Sequence, residues 1–419
     1  MEFAVGVVLF ALGIVVSICL HEAGHLGTAK AFGMLATRYF VGFGPTLWSF
    51  RRGETEYGIK ALPVGGFVKI VGMTPQDDDV PEGQQHRAMW RYPVWKRTIV
   101  MGAGSAVHFV LGFALLWGVF AFAPINDFDK LNRTAPTVES VSPCAVAEWE
   151  ADPATGGQRD CAPGDPRSAA AAAGLRPGDV IVALDGLPVT GWDDLTSRVR
   201  AAGGQTVTLT YERGGVVHEA SVELPVVERP REDLEPGSAI GPGDLERVGF
   251  LGVTPTIPRT VFGPVDGLGM AADRTVALFR ATVEAVGRLP ERIPDLWHAV
   301  LGGERDPETP MSVVGASRIG GELWERGELP TWLVFLAGVN FFVGVFNLVP
   351  LLPLDGGHIA IAWFERARSW VYVRLGRPDP GRVDYYKMMP LTYVVILIMA
   401  GFFLLTVAAD IVSPVRLPF

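Results

Sequence analysis

The sequence predicts a polytopic α-helical membrane protein of about four transmembrane helices, with a membrane re-entrant β-hairpin region and a small α/β domain held outside the cytoplasm. Three observations predict it. The chain of 419 residues is 49% apolar, with a mean hydropathy of +0.27, which excludes an ordinary soluble enzyme. Four stretches, at 3–32, 98–124, 331–352 and 391–409, reach the about 20 apolar residues that a helix needs to cross a bilayer. Between the second and third lies a segment of different character, 125–330, with 19 basic against 32 acidic residues.

Lys and Arg set the orientation, because loops rich in them stay in the cytoplasm. Segment 34–97 holds nine basic against six acidic residues, and 364–390 holds six against three. Both are expected inside. Segment 125–330 carries a net −13, accounts for the chain's −9, and is expected outside. Four spans then put both termini outside. An acidic chain of this kind is expected to meet membrane lipid and no nucleic acid. The first span lacks a small-residue cleavage site after its apolar core and is read as retained. The division expected is 1–124 for the first half of a membrane core, 134–256 for the outer domain, 257–330 for a helical linker at the membrane surface, and 331–419 for the second half of the core.

The first span ends in Cys19-Leu20-His21-Glu22-Ala23-Gly24-His25. Residues four apart share one helix face, so His21 and His25 can present two imidazoles to a tetrahedral Zn²⁺, with Glu22 beside them free to take a proton from water. A structural zinc site, or two histidines satisfied by hydrogen bonds, is the plainer reading. The setting favours chemistry, since no charge stands between Phe3 and Leu20 and ionisable groups in a membrane helix mark function.

Beyond this helix, 46–50 and 56–61 flank Arg51-Arg52-Gly53-Glu54 as a hairpin, and 62–70, opened by Gly65 and Gly66, reads as a further short strand. Strands directly after the motif suggest a re-entrant sheet whose free edge holds an extended substrate. Asp77-Asp78-Asp79 is a solvated loop without a role. The second span opens with Gly102, Gly104, Ser105 and Ala106, small residues that let helices approach. His108 is the one ionisable group within it.

In the outer segment, 168–173 makes a short helix, 174–179 a turn, 180–184 a strand, Asp185-Gly186 a hairpin turn and 192–202 a helix, with 206–211 and 216–222 pairing around 213–215. Stretches 148–166 and 228–244 read as loops. Cys144 and Cys161 lie where oxidation is allowed, so a disulfide and two free thiols are both open; Cys19 is read as packing. From 266 to 300 the pattern is helical with breaks at Pro290 and Pro294, as for a helix lying against a membrane surface.

The third span runs into Asn347-x-x-Pro350-x-x-Pro353-x-Asp355-Gly356-Gly357. Prolines and paired glycines break the helix there, which lipid forbids unless protein or water covers the backbone. Spans one and three run in the same direction, so Asp355 arrives at the depth of His21 and His25. A third, oxygen ligand for the metal is the natural reading; capping of the following helix is the alternative.

These motifs, with Gly42-Phe43-Gly44-Pro45, Leu62-Pro63-x-Gly65-Gly66-Phe67-x-Lys69 and Ala173-Gly174-Leu175-x-x-Gly178-Asp179, resemble the site-2 proteases, in their RseP-like branch of zinc intramembrane metalloproteases with a PDZ domain. The resemblance covers nearly the whole chain. It implies that His21, His25 and Asp355 hold zinc and that Glu22 activates water. It implies too that Asn347 and the strand region with Gly65, Gly66 and Phe67 contact substrate. The outer segment would be one PDZ-like domain, the enzyme a multi-pass protein of a bacterial inner membrane, and its substrates single-pass transmembrane proteins, either anti-sigma-factor-like proteins or remnant signal peptides. The second span departs from the family's Gly-Pro-x-x-Asn pattern and reads Gly104-Ser105-Ala106-Val107-His108. A substrate or site role for His108 and simple packing both stay open. Two rivals remain, a catalytically silent membrane scaffold and a metal or solute transporter; the intact Glu22 speaks against the first and the lack of a visible repeat of spans against the second.

Overall fold

A computed structural model describes residues 1–73, 80–151, 157–231, 234, 240–303, 305–306 and 309–415. The Asp77–Asp79 run lies outside them. The chain divides into two compact units, one formed by 1–123 with 261–417 and the other by 124–260.

Helix α1 (Glu2–Ala31) opens the first unit. Leu26 apart, its buried residues, Gly6, Phe10, Ile14, Ser17, His21, His25 and Ala29, recur at spacings of three and four and form one stripe. Val5, Val8, Leu12, Val16 and Leu20 are exposed on the other side, as on a lipid-facing helix. The two histidines thus continue the packed face of the helix.

Strands β1 (Ala36–Arg52) and β2 (Thr55–Ile70) follow. The separate third strand expected at 62–70 is continuous with the second, because the chain bends and does not turn between them. Each strand folds back on itself, and the first half of β2 pairs with both halves of β1. Residues 38–41 stand between 66–69 (Phe40 opposite Phe67) and 56–59 (Tyr39 opposite Tyr57), while 46–52 pairs with 55–60. The stretch containing Gly66 and Val68 therefore forms one outer edge. Helix α2 (Val94–Phe122) then packs on α1, closely at Gly24, where a Cβ would lie 2.8 Å from the Ala103 carbonyl oxygen.

The second unit begins with β3 (Ile125–Asn126), a short helix α3 (Phe128–Leu131), β4 (Val138–Val141) and α4 (Ala169–Ala172). Then come β5 (Val180–Leu184), β6 (Leu187–Pro188), α5 (Trp192–Ala201), β7 (Thr206–Arg213), β8 (Val216–Glu223), β9 (Val226–Pro230), β10 (Leu245–Gly249), β11 (Val253–Pro255) and β12 (Arg259–Thr260). Its main sheet has the order β6-β5-β7-β8. The core, including Ile181, Leu195, Val207 and Leu209, is built on α5 and the inward faces of these strands, with Ala169 and Ala170 of α4 and Val138 of β4 packed in. The loop expected at 228–244 begins instead as strand, since Glu228 and Arg229 pair with Arg247 and Glu246. Cys144 and Cys161 are joined by a disulfide. Asp179, buried beneath its turn, is bound by Arg213 at 2.8 Å through each oxygen.

The chain returns to the first unit through α6 (Gly263–Arg288) and α7 (Ile293–Val300), separated by a turn of 3₁₀ helix at Leu289–Arg292 that starts where Pro290 removes a donor. Helices α8 (Val313–Glu325), α9 (Leu329–Asn347), α10 (Asp355–Arg374) and α11 (Met389–Val412) complete it. Among the described residues, four helices are long and apolar enough to cross a membrane: α1, α2, α9, and α11 with the turn before it. Between α9 and α10 the loop folds tightly over Gly356 and Gly357, where any Cβ would meet backbone atoms of residues 348 and 351 at 2.2 and 2.6 Å. A buried ion pair, Arg97 to Glu365 at 3.1 Å, ties α10 to α2.

Candidate active site

Four elements meet at the site, α1, α10, α2 and the edge of β2. Helix α1 brings His21 and His25 one turn apart, and the first residue of α10 brings Asp355. His21 Nε2 lies 3.1 Å from His25 Nε2, and Asp355 Oδ2 lies 3.3 and 3.2 Å from the two nitrogens. Among the described residues, no other group of three His, Cys, Asp or Glu side chains converges in this way. Asp355 does not cap its helix through its side chain; Leu354 holds the N-cap position.

These three atoms form a nearly equilateral triangle. A tetrahedral zinc with bonds of about 2.0–2.1 Å has ligand–ligand edges of about 3.3–3.4 Å, so the triangle matches one face of that tetrahedron and leaves the fourth corner open. Protonation agrees. His25 Nδ1 donates to the Val100 carbonyl at 2.7 Å, which leaves the Nε2 lone pair toward the centre. Space agrees as well. A Cβ on Gly104 of α2 would stand 2.4 Å from His21 Cε1 and 2.5 Å from Nε2 of both histidines, so only glycine leaves the cradle open. The residues present fit zinc.

Glu22 stands beside the triangle without joining it. Its Oε2 accepts a hydrogen bond from the Val68 N–H at 2.9 Å, which anchors the carboxylate to the outer edge of the sheet. Gly66 flanks the same carboxylate, its Cβ position 3.4 Å from Glu22 Cγ. Gly65 is buried at φ 150°, against the ring of Phe43, and the Phe67 ring stacks between Phe40 and Phe43 at centroid distances of 5.7 and 6.0 Å. Asn347, half-buried, is the last residue of α9. His108 is buried behind His21, with ring centroids 5.1 Å apart, and its Nδ1 meets Asn340 Oδ1 at 2.8 Å.

A model of the family described as peptidase family M50 matches residues 9–374. This chain belongs to peptidase family M50. The membership bears out the site-2 protease resemblance, and the M50 match spans the histidine motif, the sheet and Asp355. The chain is 39% identical to the zinc metalloprotease Rip1 of Mycolicibacterium smegmatis and 40% identical to that of Mycobacterium tuberculosis, each over 100% of both chains. It is 27% identical to the regulator of sigma-E protease RseP of Escherichia coli, over 86% of this chain and 91% of that one.

Three contributors to this M50 site escape sequence reasoning. Gly104 reads as a helix-packing residue, and only its distance to the histidines gives it away. The Val68 N–H has no side-chain signal at all. Asn340 has a faint one, a polar residue in an apolar span two turns before Asn347 and so on the same face.

Proposed function

We propose that this membrane zinc metalloendopeptidase hydrolyses peptide bonds within single-pass transmembrane proteins, as the second cut of regulated intramembrane proteolysis. One observation carries the reading: the Glu22 carboxylate touches both the metal-ligand cluster's surroundings and the edge of a β-sheet, through Val68. When bound, zinc supplies a Lewis acid that polarises the scissile carbonyl and acidifies water. Glu22 takes the proton from water and passes it to the leaving nitrogen. The Val68 N–H holds that carboxylate in place while it does so.

A carbonyl inside a helix is already hydrogen-bonded, so the substrate has to unwind before attack. The outer edge at Gly66–Val68 offers backbone groups to the segment so freed, as an added strand, with Gly65 and Phe67 shaping that edge and the Asn347 amide bonding further groups. Exposed Phe43, Leu47, Trp48, Phe50, Ile59 and Leu62 on the hairpin favour a sheet that dips into lipid. The zinc site then lies near the cytoplasmic face of a bacterial inner membrane, and segment 134–256 is an extracytoplasmic PDZ-like domain. Substrates of this class are anti-sigma-factor-like proteins or remnant signal peptides already trimmed outside.

Glu22→Gln tests it. The amide cannot accept the proton, so cleavage of a model single-pass substrate should fall by about 10²–10⁴-fold while zinc content stays that of the wild type. Loss of zinc from this variant would make Glu22 a ligand, and undiminished cleavage would remove it from the mechanism.

A further inference from the structure

His21 and His108 each bury a ring nitrogen that has no hydrogen-bond partner among the described residues, His21 Nδ1 and His108 Nε2. The two rings are neighbours, with centroids 5.1 Å apart and planes at 47°. Burying two unpaired polar atoms on neighbouring rings is costly, and a bond between them would remove both costs.

Their protons can be placed. Asn340 Nδ2 donates to the Leu336 carbonyl at 2.8 Å, which turns Asn340 Oδ1 toward His108 Nδ1. An amide oxygen only accepts, so His108 carries its proton on Nδ1 and keeps a lone pair on Nε2. His21 has the opposite need. Its Nε2 faces His25 and Asp355 and keeps its lone pair for the metal, so its proton sits on Nδ1. One ring has a proton without an acceptor, and its neighbour has a lone pair without a donor. His25 shows what is missing at His21, since its own Nδ1 donates to the Val100 carbonyl.

We infer that His108 accepts the hydrogen bond from His21 Nδ1–H and is a positioning residue of the metal centre, with Asn340 holding His108 in the accepting tautomer. The two nitrogens are not bonded as the rings stand, but two imidazoles joined by a hydrogen bond of about 3 Å have ring centroids about 5 Å apart, so at 5.1 Å a rotation of the rings in place closes the bond. The relay fixes the ring orientation of His21 and strengthens it as a donor to the metal. A span that lacks the Asn of the Gly-Pro-x-x-Asn pattern thus carries an imidazole that serves a ligand.

The inference rests on His21 as a zinc ligand, so the test separates the two. The detergent-solubilised full chain is titrated with zinc against a chelator, its Co²⁺ form is examined by visible absorption, and thermal unfolding of the metal-free protein is followed in parallel. His21→Ala should lose zinc binding; retention would overturn both the metal reading and the relay. With that control in place, His108→Leu should bind zinc about 10–100-fold more weakly and shift the Co²⁺ bands. His108→Gln, which restores an accepting oxygen, should recover most of the affinity. Adding Asn340→Leu to His108→Leu should cost nothing more, because Asn340 acts through His108. Zinc affinity of His108→Leu within twofold of wild type with unshifted bands would overturn the relay. So would equal weakening by Leu and Gln with equally lowered unfolding temperatures, the mark of packing alone.

Discussion

At the scale of single residues the site is decided by what is missing as much as by what is present. Gly104 contributes no side chain, and a methyl group there would press on His21 and His25 at 2.4–2.5 Å. Gly104→Ala should therefore lose zinc while α2 stays helical, since alanine is the better helix former; zinc content and circular dichroism on one sample check both halves. Asp355 is the converse case, a residue whose whole contribution is one oxygen. Asp355→Asn keeps the shape and replaces a carboxylate by a poorer ligand. Zinc affinity should fall by at least about tenfold, the least that even an outer hydrogen-bond partner contributes. Unchanged affinity would return Asp355 to the helix start.

At the scale of elements, the question is what carries Asp355 to the histidines. It stands on the first turn of α10, and that helix is fastened to α2 by Arg97 and Glu365, 5% and 7% exposed, with the second Glu365 oxygen accepting the Val383 N–H at 2.9 Å. Removing one member of a buried pair strands the other charge, at about 3–5 kcal/mol. Glu365→Leu should destabilise the protein by that order and weaken zinc binding too, whereas Arg97→Leu with Glu365→Leu should restore most of the stability; denaturant unfolding of the three proteins checks it. The i, i+4 histidines were legible because one helix holds both, and Asp355 was legible because matching depths could be counted from the spans. The Arg97–Glu365 and His108–Asn340 pairs join residues 268 and 232 positions apart. Each residue reads alone in its own segment, and no local pattern announces a partner that far away. The hairpin was legible at its Gly53 turn, but not the fold-back of each strand, which depends on bends that carry no period. In the second unit Arg213, bonded to both oxygens of Asp179, holds that carboxyl below the ordinary carboxylate range, helped by the Arg176 N–H. A lowered pKa stabilises the fold fully above the unfolded value of about 4 and is lost as pH falls through the folded one. Unfolding temperature should drop on acidification below about pH 4, and Asp179→Asn should start lower and flatten that dependence.

At the scale of the whole molecule, the two ends of unit 124–260 lie side by side, because β3 and β12 pair with Asn126 opposite Arg259 and Ile125 opposite Thr260. The unit can therefore be excised at 127–258 and the two strands closed by a short Gly-Asn turn, with the membrane helices of the first unit left unbroken. What this variant does separates two roles for the unit. If the domain recruits trimmed substrate by its new C-terminal carboxylate, excision slows cleavage of that substrate. If the domain excludes bulky ectodomains, excision leaves trimmed substrate unaffected and admits untrimmed substrate as well. The net −13 of segment 125–330 offers no general attraction for a carboxylate, which favours exclusion. The expected outcome is an excised enzyme that cuts trimmed and untrimmed forms of one single-pass substrate at similar rates, while the full chain cuts only the first. Zinc content equal to that of the full chain confirms that the core has folded. Slower cleavage of trimmed substrate, with the untrimmed form still refused, would instead make the domain a receptor for the first cut.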